Sequence, residues 1–278
     1  MSKPIRYEER YCLFLDILGF KEVVEQSAQP VANAARKGHP VGGVYFSLKQ
    51  IASSLRYKSA VLGANGVMKA SSRVVTQFSD SVVVSYEATE SGGLAEMLYD
   101  VLHLQLTLIQ RGLLIRGAIT KGQLHHDQDF VFGPALSEAA ELEKVAMYPR
   151  VIIDRDLLKD AGISVVSVTN SNKSSERSVG SLVACDLDGM FYVDYFSVHP
   201  EDFGEEWGDL CEYLISLREI VKSLSQKRQP SLKLKHSWLR RKFNDVANGL
   251  EQSKFRFLGP HWIPDNEENH FYSVRPFK

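Results

Sequence analysis

Two apolar, strand-like runs in this chain are each interrupted by an aspartate. The first is Tyr11-Cys12-Leu13-Phe14-Leu15-Asp16-Ile17-Leu18-Gly19-Phe20, and the second is Val74-Val75-Thr76-Gln77-Phe78-Ser79-Asp80-Ser81-Val82-Val83-Val84. Runs of this kind read as strands with little exposed surface. A carboxylate inside one cannot support a core unless it is paired, whereas at a strand tip it can bind a divalent cation. In the first run the strand stops at Asp16 and Gly19 and a helix begins. In the second, Ser79-Asp80 separates two strand-like halves, which reads as a hairpin with Asp80 at its tip. Neighbouring strands of the fold could bring the two aspartates together.

The rest of the pattern gives that fold a class. Residues 28–43 read as loop, and 44–57 return to helical spacing with Val44, Leu48, Ile51 and Leu55 on one face. Leu94–Arg111 reads as a helix. Leu113–Leu124 reads as a strand whose pattern Gly117 and Gly122 break, and 130–133 as a short strand. Pro134–Met147 reads as a helix opened by proline, and Arg150–Asp154 as a further strand. A polar loop over 167–181 precedes a hairpin at Leu182–Val198 turning on Asp188-Gly189, then helices over Glu205–Ser225 and Ser231–Asn248. This alternation predicts an α+β fold, a mixed and partly antiparallel sheet covered by helices. The boundaries read as a core over 8–165 and a C-terminal hairpin and helical extension over 166–278 packed on that core.

Composition narrows the function classes. A net charge of −1 provides no global basic field for nucleic acid or a membrane surface. The cluster Lys227, Arg228, Lys233, Lys235, Arg240, Arg241 and Lys242 reads as a solvated helix face. Cys12, Cys185 and Cys211 form no C-x-x-C pair, which argues against a disulfide framework or zinc site and suits a reducing cytoplasm. Cys12 reads as a core residue. No apolar run reaches the roughly 20 residues that span a bilayer, so no direct membrane insertion is expected.

Three segments together resemble the catalytic domain of class III nucleotide cyclases, a ferredoxin-like α+β fold. They are Phe14–Phe20, Phe78-Ser79-Asp80-Ser81, and Ile115–Gly122 followed by Phe132–Glu143. Gly133-Pro134-Ala135, Ala139–Glu143, Tyr148-Pro149-Arg150 and Lys235–Leu239 further resemble the bacterial pyrimidine cyclases of Pycsar antiphage systems. The resemblance implies conversion of UTP, or alternatively CTP, to a 3′,5′-cyclic monophosphate and pyrophosphate. It implies two divalent ions, manganese or magnesium, held by Asp16, Asp80 and the carbonyl of Ile17. It implies substrate contacts from Phe14, Leu18, Gly19, Phe20 and Thr76. It also implies a head-to-tail homodimer with active sites at the interface, and a product that acts on a separate cyclic-nucleotide-binding effector.

The chemistry suits these residue types. Attack of a ribose 3′-hydroxyl on the α-phosphate calls for hard oxygen ligands and cations around a growing negative charge. Backbone N–H groups of Leu18, Gly19 and Phe20, read as a helix start, would face the phosphates. The plainer readings are a helix N-cap for Asp16 and a turn residue for Asp80. Arg116 is assigned a catalytic role, with an ion pair as its structural alternative; Lys121 and Arg150 pose the same choice. His125-His126-Asp127 reads as a polar loop, because adjacent strand histidines face opposite ways. Glu138, Glu141 and Glu143 read as mostly solvent-facing.

The departures from the resemblance also matter. Ser137 and Glu141 stand where many purine cyclases carry an asparagine and a transition-state arginine. Arg116, Lys121, Arg150 and Lys235 are the candidate replacements for that arginine. Thr76 and Phe130 stand at the base-reading positions, and Phe130 or Tyr86 could narrow the pocket for a pyrimidine. A degenerate domain that binds nucleotide without turnover is the competing expectation, and a ferredoxin-like interaction scaffold a third.

Overall fold

The computed structural model describes residues 5–28, 45, 48–49, 51–53, 55, 60–62, 68–163, 179–198, 200–203, 207–257 and 276–277. The chain divides into two compact units, one of Met1–Leu104 with Leu114–Val193, the other of Gln105–Leu113 with Asp194–Lys278.

The first unit is built on one long strand pair. Strand β1 (Glu8–Leu18) runs antiparallel to β6 (Leu114–His126), from Glu8 opposite Leu124 to Leu18 opposite Leu114. On the other side of β1 lies β5 (Ser81–Glu87), and outside it β4 (Val74–Phe78), the second arm of the hairpin. Beyond β6, β8 (Val151–Ile153) is parallel to it, followed by the antiparallel hairpin of β10 (Phe191–Val193) and β9 (Val183–Cys185). The sheet order is β4-β5-β1-β6-β8-β10-β9, with β7 (Val131–Phe132) folding back on the end of β6. A separate two-stranded ribbon pairs β2 (Ala60–Leu62) with β3 (Met68–Ala70). The α+β class read from the sequence is the class observed. The hairpin at 183–193, read with the C-terminal extension, adds two strands to this sheet through β8.

Side chains alternate across β1 and sort its residues onto two faces. One face carries Leu13, Leu15 and Ile17 beside Val82, Val84, Tyr86, Ile115 and Ile119, all fully or almost fully buried. Helix α2 (Gly93–Ile109) reaches this face: the Tyr86 hydroxyl donates to Asp100 Oδ2 at 2.5 Å, and Arg73 donates to both oxygens of Asp100 at 2.7 and 2.9 Å. The other face carries Cys12, Phe14 and Asp16. Here Cys12, Val83 and Leu124 meet Ala135 and Ala139 of α3 (Pro134–Val145). Small residues four apart let that helix come close to the strands, and proline at its first turn suits its start. Cys12 is the core residue expected, and burial pushes its thiol up to about 12.

The two glycines of β6 do not break it, as the sequence pattern suggested. A Cβ at Gly117 would lie 2.5 Å from the Phe14 carbonyl oxygen, and one at Gly122 would lie 3.5 Å from the Ala135 Cβ. They are positions where a neighbour comes close, so the strand runs through them. Arg150 also resolves as structural. It is fully buried, donates to Asp186 Oδ2 at 2.8 Å, to both Asp188 oxygens and to the Ala146 carbonyl at 3.2 Å. This ties the β9–β10 turn to the end of α3 and leaves no arm for a phosphate.

Helix α1 (Phe20–Ser27) and the short α4 (Arg155–Asp160) complete the labelled helices of this unit. Of the expected helix over 44–57, residues 45, 48–49, 51–53 and 55 are helical, with Ile51 and Leu55 buried. Val44, almost all of the 28–43 loop and most of the 167–181 loop lie outside the described residues. The second unit contains α5 (Trp207–Ser225) and α6 (Pro230–Phe257), the latter longer than its sequence reading. The Tyr213 hydroxyl donates to the Tyr195 carbonyl at 2.6 Å, and Trp238 meets Phe196 edge-on at 5.5 Å. None of the described helices is long and apolar enough to cross a membrane.

Gly117→Ala should therefore destabilise the chain by about 2 kcal/mol, because the added methyl meets backbone rather than a movable side chain. Chemical denaturation of both proteins measures this; Gly122→Ala, with its longer approach, should cost less.

Candidate metal and phosphate site

The register of three strands assembles the site. Asp16 stands opposite Ser81 on β5 and opposite Arg116 on β6. The Ile17 amide donates to the Asp80 carbonyl at 3.2 Å, pinning the hairpin tip to the end of β1. At that tip Ser79 has φ of +57°, the left-handed value a two-residue hairpin turn requires and glycine usually supplies. The result is that the Asp16 and Asp80 carboxyls lie close enough to share a hydrogen bond. The two aspartates that broke the apolar runs thus meet.

A third carboxylate is near. Glu143, on α3, is buried and paired with Arg116 Nε, and its charge reaches Asp16. This corrects the reading of Glu143 as solvent-facing. Its position was legible: Ala135, Ala139 and Glu143 fall at i, i+4 and i+8 on the buried stripe of α3. Glu138 and Glu141 are exposed as expected.

Electrostatics follow from this company. Burial, then the charges of Asp80 and Glu143 and the hydrogen bond to Asp80, push the Asp16 carboxyl up from 3.8 to about 6, with Arg116 offsetting part of the rise. Two oxygen-donor side chains that repel each other are a donor set for a hard dication. Among the described residues no three His, Cys, Asp or Glu side chains converge to hold a metal ion. Two carboxylates fit magnesium or manganese bound partly by substrate phosphates and water, the usual arrangement at a triphosphate.

The other site expectations divide. Gly19 has φ of +77°, the left-handed turn between β1 and α1, and its carbonyl accepts from Val23. The helix begins at Phe20, so the first-turn N–H groups from Phe20 onward have no intrahelical acceptor. Leu18 is not part of it. It ends β1 opposite Leu114, and since the Ile17 amide points to the hairpin, that of Leu18 points to β6. Phe14 packs against the Cys12–Val83–Ala139 cluster.

Tyr86 is fully buried on the opposite face and cannot wall a pocket beside Asp16. Lys121 also lies on that face, within 4.0 Å of Glu9 and Asp160. Arg116 is the cation whose charge reaches Asp16. Lys235 belongs to the second unit. Ser137 is exposed, and Phe130 is 67% exposed.

Sequence reasoning misjudged His126. The two histidines do face apart: His125 meets Asp127 at 3.0 Å and the Phe132 ring. His126 is buried, however, bonded to Ser85 at 2.8 Å and to Thr76 at 3.0 Å. A loop reading missed it because β6 extends through both residues.

No protein-family model matches this chain, and no curated protein matches it. Among solved structures it is similar to the adenylyl cyclase CyaB from P. aeruginosa, at 16% identity over 57% of this chain and 84% of that one, with a TM-score of 0.38. It is similar to a bacterial light-regulated adenylyl cyclase at 14% identity, over 68% and 92% of the two chains, with a TM-score of 0.38. It is also similar to a class III adenylyl cyclase-like ATP-binding protein from Pseudomonas aeruginosa at 10% identity, over 91% and 73%, with a TM-score of 0.34. Likenesses this slight carry no weight for activity.

The raised Asp16 sets a pH dependence. The folded chain keeps this proton up to about pH 6, whereas the unfolded chain releases it near 3.8. The stability it contributes is thus present below about pH 4 and lost as pH rises through 6. Asp80→Asn removes the main neighbouring charge. In chelator, the variant should exceed the parent by about 1 kcal/mol at pH 8, after allowing for solvent screening, and match it at pH 4. Denaturation curves at the two pH values check this.

Proposed function

We propose that this protein is a metal-dependent pyrimidine nucleotide cyclase that converts UTP to 3′,5′-cyclic UMP and pyrophosphate. One observation carries the reading: two carboxylates from separate strand ends converge on one point beside the start of a helix. Asp16, Asp80 and the Ile17 carbonyl would hold the ions, the last because its amide already faces the hairpin tip and an extended residue points both groups to one edge. Bound there, divalent ions would supply acidification of the 3′-hydroxyl and neutralisation of the leaving pyrophosphate.

The chain's own residues account for the rest. The N–H groups of Phe20 and Lys21, in the first turn of α1, would face the phosphate tail. Asp16 would hold its ion beside the reacting hydroxyl. Arg116 provides a positive charge for the α-phosphate, and Glu143 holds its guanidinium on that side of the sheet. Thr76 and Phe130 replace the purine-reading residues, which supports a pyrimidine base. The Pycsar-like segments support a second-messenger role in antiphage defence, a homodimer with shared active sites, and a separate effector.

One observation favours a second reading. Glu141, at the transition-state arginine position, is exposed, and Arg116 is already paired with Glu143. A domain built this way could bind nucleotide without turning it over.

Incubation with manganese and each of the four nucleoside triphosphates separately, with products resolved by mass, separates the readings. Cyclic UMP with pyrophosphate is expected. Tight binding with no cyclic product would establish the sensor instead. Asp80→Ala should leave the chain folded and reduce turnover at least a hundredfold, since it removes a cation ligand and no core contact. A collapse of metal-free thermal stability in that variant would show that Asp80 is structural.

A further inference from the structure

Asn244 stands in the interior of α6, where asparagine is a poor choice because its amide competes for backbone groups. Such a residue usually turns to solvent or back onto its own helix. Asn244 does neither. Its Oδ1 accepts from the Phe277 amide at 2.7 Å, and its Nδ2 donates to the Phe277 carbonyl at 2.9 Å. One side-chain amide thus satisfies both main-chain groups of a single residue 33 positions further along the sequence. An extended residue presents its N–H and C=O to one edge, and Asn244 pairs with that edge as a neighbouring strand would.

The Phe277 side chain is engaged as well. The Arg218 guanidinium of α5 lies over its ring at 4.8 Å, and the Phe243 ring of α6 meets it at 5.6 Å and 63°. Phe243 is fully buried, whereas Arg218, Asn244 and Phe277 are half-buried. The seat is therefore built on a fixed core residue and reached from solvent. Pro276, just before Phe277, has a restricted φ, which lowers the conformational freedom lost on docking. Two hydrogen bonds and one half-buried ring gain little net, so the docked segment is held reversibly. All of these residues belong to the second unit, and nothing in the seat depends on the cyclase reading.

We propose that the seam of α5 and α6 is a peptide-recognition site. It reads one extended aromatic residue through both its main chain and its ring, and Pro276-Phe277 is its resident, displaceable ligand. The partner it fits is a segment of another polypeptide that carries a proline–aromatic pair in extended form. Such a segment competes with the resident one for the same contacts.

The probe is the peptide Ser-Val-Arg-Pro-Phe-Lys, the sequence of residues 273–278, amidated at its C-terminus and fluorescently labelled at its N-terminus. Its binding is read by anisotropy against the full chain and against the full chain carrying Phe277→Pro. That variant lacks both the ring and the N–H on which the seat acts. In the parent the tethered segment competes at a high effective concentration, and in the variant it does not. Phe277→Pro should therefore bind the peptide at least about tenfold more tightly than the parent. Asn244→Leu, added to Phe277→Pro, keeps the side-chain size and removes both hydrogen bonds, and should weaken binding at least about tenfold. A peptide with alanine in place of its phenylalanine should lose at least as much.

No saturable binding to Phe277→Pro at millimolar peptide overturns the proposal. Equal binding by parent and variant does so too, since the peptide then lies elsewhere. Binding that survives Asn244→Leu, or survives loss of the peptide's ring, has the same meaning. Should Asn244→Leu fail to fold, the alanine peptide and the comparison with the parent decide without it.

Discussion

The backbone bond from Ile17 to Asp80 is the contact on which the candidate site depends. It closes the β4–β5 hairpin onto the end of β1 and so decides where the second carboxyl lies. The strand register on either side leaves little freedom. Asp16 must face the side of the sheet that carries Ser81 and Arg116, because a slip of one residue would send its carboxylate into the Leu13–Leu15–Ile17 core. The sheet that buries the apolar residues of β1 is therefore what presents Asp16 to Asp80.

Holding those acids together costs free energy, and the fold offsets it locally. Buried Glu143 and half-buried Arg116 form an ion pair beside Asp16, and such a pair gains little by itself once desolvation is counted. Its use is placement. A cation is kept within electrostatic reach of Asp16, where it offsets part of the repulsion among the acids. Arg150, a few residues beyond α3, secures the arrangement from behind: its backbone carbonyl accepts from Gly117, next to Arg116, while its side chain is consumed by Asp186 and Asp188. Of two arginines near the same helix end, one is fixed by two carboxylates and the other shares one with the site.

Much of this was legible in the sequence, for physical reasons. The continuous apolar run over 11–17 and the β-branched runs over 73–86 gave the strands, the broken hydrophobic pattern at Ser79-Asp80 gave the hairpin tip, and proline at 134 gave the start of α3. Misreadings arose where a residue's role depends on a partner distant in sequence. Gly117 looks like a punctuation mark until the Phe14 carbonyl is seen beside it. Glu143 looks like one more surface glutamate unless the Ala135–Ala139 stripe is followed one step further. His126 looks like part of a polar loop because nothing local shows that Ser85 and Thr76, on two other strands, are its partners. The exclusion of Tyr86 from the acid-bearing face has the same origin, since its side is set by its pairing with Tyr11.

The two polar ends of the acid-bearing face serve opposite chemical requirements, and this explains why an apolar cluster separates them. At one end Asp16, Asp80 and Glu143 concentrate negative charge, which suits a cation and a phosphate tail. At the other, buried Arg10 is bonded to Ser85 and Glu8, and His126 to Ser85 and Thr76, so the polar groups there are paired with one another. Cys12, Phe14 and Val83 form an apolar cluster between the two. A ligand that satisfied both ends would need a highly anionic head and a neutral, hydrogen-bonding ring one short spacer away. On the proposed cyclase reading, that ligand is a nucleoside triphosphate.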